Sequence, residues 1–209
     1  MRAPVLERLR ALLRAEGGLI ATLVADAHVC PPKERDGEPG AQAPSDSGQS
    51  REARGDGAAP SVSPAALAAS GPRAQGRRED YELLVEAIYE GYLLHHGRPR
   101  VVCAADADLG LLAGDRLYAI GLARLVALGD TSAVAELADT ITLSSLAQGA
   151  GAGELAEAVW TAGARAVGWG ASPGHQRAKE LVLAGSQEAL EAMRTYAAGP
   201  PTSPDGAPR

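Results

Sequence analysis

Apolar side chains recur every three or four residues along most of the chain beyond residue 79, and no stretch alternates convincingly between apolar and polar residues. Such spacing places side chains on one face of an α-helix, whereas alternation is typical of a strand. Residues 99–103 are the nearest to an alternating stretch, but they are too few to predict a strand. With no Phe and only two Trp and five Tyr, the core must consist mainly of Ala and Leu. The sequence therefore predicts an all-α helical bundle with close helix packing.

An N-terminal helical segment is predicted for residues 1–30. Pro4 suits the first turn of a helix, and Gly17 and Gly18 end the predicted helix at about residue 16. Residues 19–29 resume as a short apolar segment, which we expect to be helical. The apolar face of the first helix consists of Val5, Leu6, Leu9, Leu12 and Leu13.

Residues 31–78 are rich in Pro, Gly, Ser and Ala, and Val62 and Leu67 are almost their only large apolar side chains. Such a segment cannot bury enough surface to offset the loss of chain entropy. We expect a long disordered insertion, with one turn of helix at residues 64–69. It is either a recruitment or phosphorylated linker or a tolerated insertion, and the low cost of long loops favours the latter.

The main bundle is predicted to span residues 79–198, followed by a disordered tail at residues 199–209. Asp108 and Thr131 are the expected N-caps of its second and third helices. The second helix is apolar on most sides, which predicts a central position. The expected helices cover residues 79–96, 108–128, 131–148, 154–169 and 175–198, the last with a break at Gly185.

Charge and composition exclude several classes of function. A net charge of −6 argues against nucleic acid as a partner, because phosphate binding needs a basic face. Cys30 and Cys103 form neither a metal motif nor a disulfide framework, so we expect a reduced, cytoplasmic environment. No apolar run reaches the roughly 20 residues of a membrane span. Glu7 and Glu16 make the N-terminus unlike a signal peptide.

The run LGLLAGDRLYAIGLARLVAL at residues 109–128 resembles the helix of trans-polyprenyl diphosphate synthases that carries an Ala-Gly-Asp signature. EAIYEGYLLHH at residues 86–96 resembles the family's preceding helix. ELADTITLSSLAQGAG at residues 136–151 and ELAEAVWTAGARAVGWG at residues 154–170 resemble the next two. The order of these four segments carries the resemblance, which implies a bundle of isoprenoid-synthase type over roughly residues 80–170.

The family's chemistry needs two Asp-Asp-x-x-Asp motifs whose carboxylates hold Mg²⁺ on a diphosphate. By position, the first motif should begin near His95 and His96, and the second should follow Trp169. Residues 170–176 contain no Asp or Glu, and the chain has no Asp-Asp pair. The family's basic group for a second diphosphate has no clear counterpart either. The resemblance therefore implies a shortened relative without metal, cofactor or catalytic residues.

Three functions follow from these observations. The first is a non-catalytic interaction or regulatory subunit, either a homo-oligomer or a partner of a true prenyl synthase. The second is an apolar-ligand protein that holds a prenyl chain between the Ala- and Gly-rich helices at residues 108–128 and 154–169. The third, less favoured, is an active prenyltransferase-related enzyme, or an enzyme of another kind that uses Asp115 or the histidines.

Asp115, Tyr118 and His95 are the candidate ligand-binding residues. Asp115 lies on the apolar stripe of its helix with Tyr118, where a charge needs partners. It lines a cavity or accepts bonds from a neighbouring helix. His95 is a core or C-cap histidine, or part of a metal or proton site. His95 and His96 point about 100° apart on a helix, so they cannot easily bind one metal ion together.

Other polar and aromatic residues have structural explanations. Glu82, Glu86 and Glu90 form an i, i+4 row that we interpret as a solvated helix face. Asp139 is expected to pair with an arginine of a neighbouring helix. Trp160 and Trp169 are expected to be core or interface residues. Spacing supports no Ser-His-Asp arrangement and no phosphate loop.

Overall fold

The computed structural model describes residues 3–25 and 62–199, which form α-helices, one 3₁₀ turn and one isolated antiparallel bridge between Val24 and Val102. The all-α prediction is confirmed for these residues. Residues 31–61 of the predicted insertion, and residues 200–209 of the predicted tail, lie outside them. The helices are α1 Ala3–Glu16, α2 Gly18–Thr22, α3 Pro64–Ser70, α4 Arg78–His96, α5 Ala107–Ala127, α6 Thr131–Gly149, α7 Gly153–Trp169, α8 Pro173–Leu183 and α9 Ala189–Ala198, with the 3₁₀ turn at Pro72–Ala74.

Helix α4, not α5, holds the central position. It packs against α1, α3, α5 and α6, and its buried residues lie on several sides of the helix. The predicted central position of α5 is wrong, because α5 buries one face against α4 and leaves Leu111, Leu112 and Val126 exposed. The buried face of α5 consists of Gly110, Ala113, Gly114, Leu117, Ile120, Gly121 and Leu125.

Residues 62–78 are ordered, so the predicted disordered segment extends too far toward the main bundle. The helical turn predicted at residues 64–69 is present as α3. The side chain of Ser63 accepts a hydrogen bond from the backbone N–H of Ala66 and caps α3. Helix α3 packs against α4 and α7, with Ala65 and Ala68 fully buried. A Cβ on Gly71 would lie 2.2 Å from the carbonyl oxygen of Gly168. Small residues let the backbone of this segment contact the bundle directly. The scarcity of large apolar side chains therefore did not indicate that the segment is ordered.

The N-terminal helix packs on the main bundle. Leu9 and Leu13 of α1 are fully buried in a cluster with residues of α4 and α5. The predicted helix at residues 19–29 ends at Thr22 in the structure, and the following residues pair with the segment before α5. There the Ala25 N–H bonds to the carbonyl of Val101, and the Cys103 N–H bonds to that of Leu23, each at 2.9 Å.

Two predicted N-caps are displaced. Asp106, not Asp108, accepts the Leu109 N–H at the start of α5. Asp130, not Thr131, accepts the Ala133 N–H at the start of α6. In both places an acidic or hydroxyl residue close to the true cap made the sequence ambiguous.

Cys103 is disulfide-bonded, so the prediction of no disulfide is wrong. Cys30, the only other cysteine of the sequence, lies outside the described residues. That prediction rested on the long separation of the two cysteines in sequence, which does not determine whether a cysteine is oxidised. Within the described ranges, no helix is both long and apolar enough to cross a membrane.

Candidate functional site

The structure brings the three predicted site residues together where α4 crosses α5. His95 lies in the last turn of α4, and Asp115 and Tyr118 lie one turn apart on α5. The Nε2 atom of His95 is 3.2 Å from Oδ1 of Asp115. The His95 ring stacks on the Tyr118 ring, with centroids 5.4 Å apart and planes 4° from parallel.

Two glycines make room for this contact. A Cβ on Gly114 would lie 2.6 Å from two atoms of the His95 ring. A Cβ on Gly91 would lie 3.0 Å from the Tyr118 ring and 2.9 Å from the carbonyl oxygen of Gly114. Gly114 therefore has a packing role, since it allows α4 and α5 to approach closely.

The contact places an exposed carboxylate beside a partly buried aromatic stack. The Asp115 side chain is 68% exposed, so it does not line an enclosed cavity. Its distance to His95 fits an ion pair, but the atoms are not aligned as a hydrogen bond, and the buried Nε2 has no such partner in the described part of the chain. The buried Tyr118 hydroxyl also lacks one, and burial raises its pKa, with a further contribution from Asp115.

The predicted solvated acidic row on α4 is wrong at two of its three positions. Glu86 and Glu90 are buried and both bind Arg100, from the segment that leads to α5. The Arg100 Nη1 atom lies 2.7 Å from Glu86 Oε1, and its Nε lies 3.1 Å from Glu90 Oε2. The guanidinium also lies over the Tyr89 ring. A partly buried arginine and two buried carboxylates thus form one network, and the arginine offsets the cost of burying the two charges on this side of α4.

Some buried polar atoms of this network of Glu86, Glu90 and Arg100 lack hydrogen-bond partners within the described part of the chain. Glu86 Oε2 and Arg100 Nη2 are buried without hydrogen-bond partners in the described residues. Burial raises the pKa of Glu86, Arg100 lowers it, and the neighbouring Glu90 raises it again, with a net upward shift. Ionisation of Glu86 is therefore less favourable in the folded protein than in water.

A second polar cluster joins α6 to α8. Glu136 Oε2 lies 3.1 Å from Nε2 of the buried His175 and 2.7 Å from Nζ of Lys179. Asp139, predicted to pair with an arginine, pairs with the same lysine at 2.8 Å. Burial alone would raise the pKa of Glu136, but hydrogen bonds from His175 and Lys179 lower it. These contacts explain a buried lysine and histidine as structural groups.

A cleft of about 830 Å³ lies between the C-terminal end of α7, the start of α8 and α9. Arg165 of α7 lines this cleft, and its guanidinium carbon lies 5.0 Å from the centre of the Trp169 ring. The Tyr196 hydroxyl donates to the carbonyl of Gly170 at 2.8 Å. Trp160 is buried in the core as predicted, whereas Trp169 is 37% exposed at this cleft. The other lining residues are Ser172, Gly174, Leu181, Glu188, Glu191, Ala192, Thr195 and Gly199.

None of His95, Asp115 and Tyr118 lines this cleft, so the cleft lies away from the predicted site. The described residues contain no group of three or more His, Cys, Asp and Glu side chains placed to hold a metal ion. Comparisons of the chain with protein-family models, with curated proteins and with solved structures find no match.

Proposed function

We propose that this protein is a non-catalytic helical protein of isoprenoid-synthase type that serves as an interaction or regulatory subunit. The exposed apolar face of α5 is the observation that carries the proposal. Leu111, Leu112 and Val126 are 40%, 62% and 54% exposed. They lie within about 100° of one another around the helix. Leu112 and Val126 are about 21 Å apart along the helix axis, and the exposed Ala119 and Ala123 lie between them, so these residues form an apolar strip. Contiguous apolar surface marks interaction sites more often than residues scattered singly.

The composition of this face favours a helical partner. Ala119 and Ala123 are also exposed and lie between Leu112 and Val126, so another helix can approach closely. Asp115 is the charged residue nearest the middle of the face, and His95 offsets its charge when protonated. The partner we propose for this surface is a second copy of this chain or a complete prenyl synthase.

Light scattering coupled to size-exclusion chromatography tests the proposal. The wild-type chain is expected to form a dimer or larger oligomer, or a complex with an added prenyl synthase. Leu112→Arg and Val126→Arg are expected to weaken that association. Leu183→Arg is the matched control, because Leu183 is equally exposed but lies on α8. A wild-type chain that stays monomeric and binds no synthase would remove the proposal.

The relationship to trans-polyprenyl diphosphate synthases is part of the proposal. In its support, the four segments that resemble the synthases coincide with the consecutive helices α4 to α7, and the Ala-Gly-Asp signature lies where α4 meets α5. The non-catalytic assignment rests on the missing aspartate pairs. Elongation of isopentenyl units by the purified protein in magnesium buffer would overturn it.

A second candidate function is the binding of an apolar ligand such as a prenyl chain. The cleft beside Trp169 supports it, because its volume falls within the range of small-molecule sites. Its position differs from the expected one: α8 and α9 line it together with α7, and α5 contributes no residue. A melting temperature unchanged by saturating prenols would remove this candidate.

A further inference from the structure

Arg165 is the one cation that lines the large cleft, and it makes no hydrogen bond or ion pair with any described residue. Its guanidinium lies over the face of the Trp169 ring and beside Gly199, where a Cβ would lie 2.5 Å from it. Burial raises the pKa of the nearby Tyr196 hydroxyl, and Arg165 opposes that shift. A half-buried guanidinium without an anion is unusual, because carboxylates are its ordinary partners. The position is thus suited to an anion supplied by a ligand.

The rest of the cleft is suited to an aliphatic chain. Leu181 and Ala192 lie on its α8 and α9 walls, and the exposed ring of Trp169 lies on its α7 wall. Glu188 and Glu191 also line it, but both residues are exposed. Their carboxylates are hydrated, so they repel an anion at Arg165 less than buried carboxylates would.

We infer that this cleft binds a single-chain amphipathic carboxylate, with its head on Arg165 and its aliphatic chain along Leu181 and Ala192. The inference rests on the second candidate function and adds the chemistry of the head group. Stacking on Trp169 holds the guanidinium in one orientation before a ligand arrives. A planar guanidinium can then donate two parallel hydrogen bonds to one carboxylate.

Three probes with the same chain and different heads test the inference: decanoate, 1-decanol and decylamine, each below its micelle-forming concentration. Titration calorimetry is expected to show that decanoate binds about tenfold more tightly than 1-decanol, as a charge-assisted pair at a half-buried site allows. Arg165→Gln is expected to remove this difference and leave the affinity for 1-decanol unchanged. Arg177→Gln, at an exposed arginine of α8 outside the cleft, is the control and should behave as wild type.

The possible outcomes distinguish failure of the head-group inference from failure of the ligand-binding function. Equal affinity for decanoate and 1-decanol, or tighter binding of decylamine, would overturn the head-group inference. The proposal that the cleft binds an apolar ligand would be unaffected. Binding of none of the three probes would remove the ligand-binding function as well. Unchanged melting temperatures of both variants without ligand would show that the loss reflects the head group and not unfolding.

Discussion

The carboxylate oxygen Oε1 of Glu90 accepts the backbone N–H of Val101 at 2.6 Å, which joins the middle of α4 to the segment before α5. The same oxygen accepts the N–H groups of Arg100 at 2.5 Å and of Val102 at 3.3 Å. One buried side chain thus satisfies three donors that no helix pairs. Buried N–H groups without partners are strongly unfavourable, so Glu90 determines the path of this connection.

Substitution of Glu90 should lower the free energy of unfolding more than substitution of Glu86. Glu90→Ala leaves three backbone donors and Arg100 poorly paired, and it should lower the free energy of unfolding by about 3–5 kcal/mol. Glu86→Gln removes the carboxylate that lacks a second partner, and it should change stability by less than about 1 kcal/mol. Urea unfolding followed by circular dichroism measures both. Equal losses in the two variants would contradict the distinct role of Glu90.

Glu86 should also make stability depend on pH. Burial raises its pKa above the ordinary 4.5, against the opposing effect of Arg100. Between 4.5 and the raised pKa, the folded protein binds more protons than the unfolded chain, so this group's contribution to stability falls as pH rises. The melting temperature of Glu86→Gln relative to wild type should therefore increase from pH 4.5 upward. A difference that does not vary with pH would refute this.

Close backbone packing of α3 on α7 predicts intolerance of a methyl group at Gly168. A Cβ there would lie 2.6 Å from the carbonyl oxygen of Ala68, and backbone cannot move aside as a flexible side chain can. Gly168→Ala should lower the free energy of unfolding by about 1–3 kcal/mol. Gly149→Ala is the matched control, because nothing lies within 4 Å of its Cβ, and it should lose no stability. A harmless Gly168→Ala would argue against the packing of residues 64–70 on the bundle.

The state of Cys103 tests the expected compartment. Because this cysteine is disulfide-bonded, the folded protein should take up no iodoacetamide unless it is first reduced, and mass spectrometry of the intact chain measures this. Disulfides are rare where thiols are kept reduced, so the bond counts against a cytoplasmic location. Rapid labelling of Cys103 without reductant would restore that expectation.

Much of the main bundle could be predicted from local signals. Helices α4 to α7 begin and end within a few residues of their expected limits, because Gly97, Pro99 and the break at residues 149–153 interrupt an otherwise regular apolar spacing. The juxtaposition of Asp115 and Tyr118 followed from their spacing of three on one helix. Their contact with His95 required the crossing of α4 and α5, and no spacing within one helix describes that crossing.

The sequence by itself determined that the chain is helical, where most helices lie, and that paired aspartates are missing. The tertiary structure alone decided which helix is central, that Glu86 and Glu90 are buried, that residues 64–74 are ordered, and where the large cleft lies. Helical periodicity is local and reports only a helix's own faces. Burial of a charge or of an alanine depends on partners such as Arg100 or Gly168, which come near only when the chain has folded.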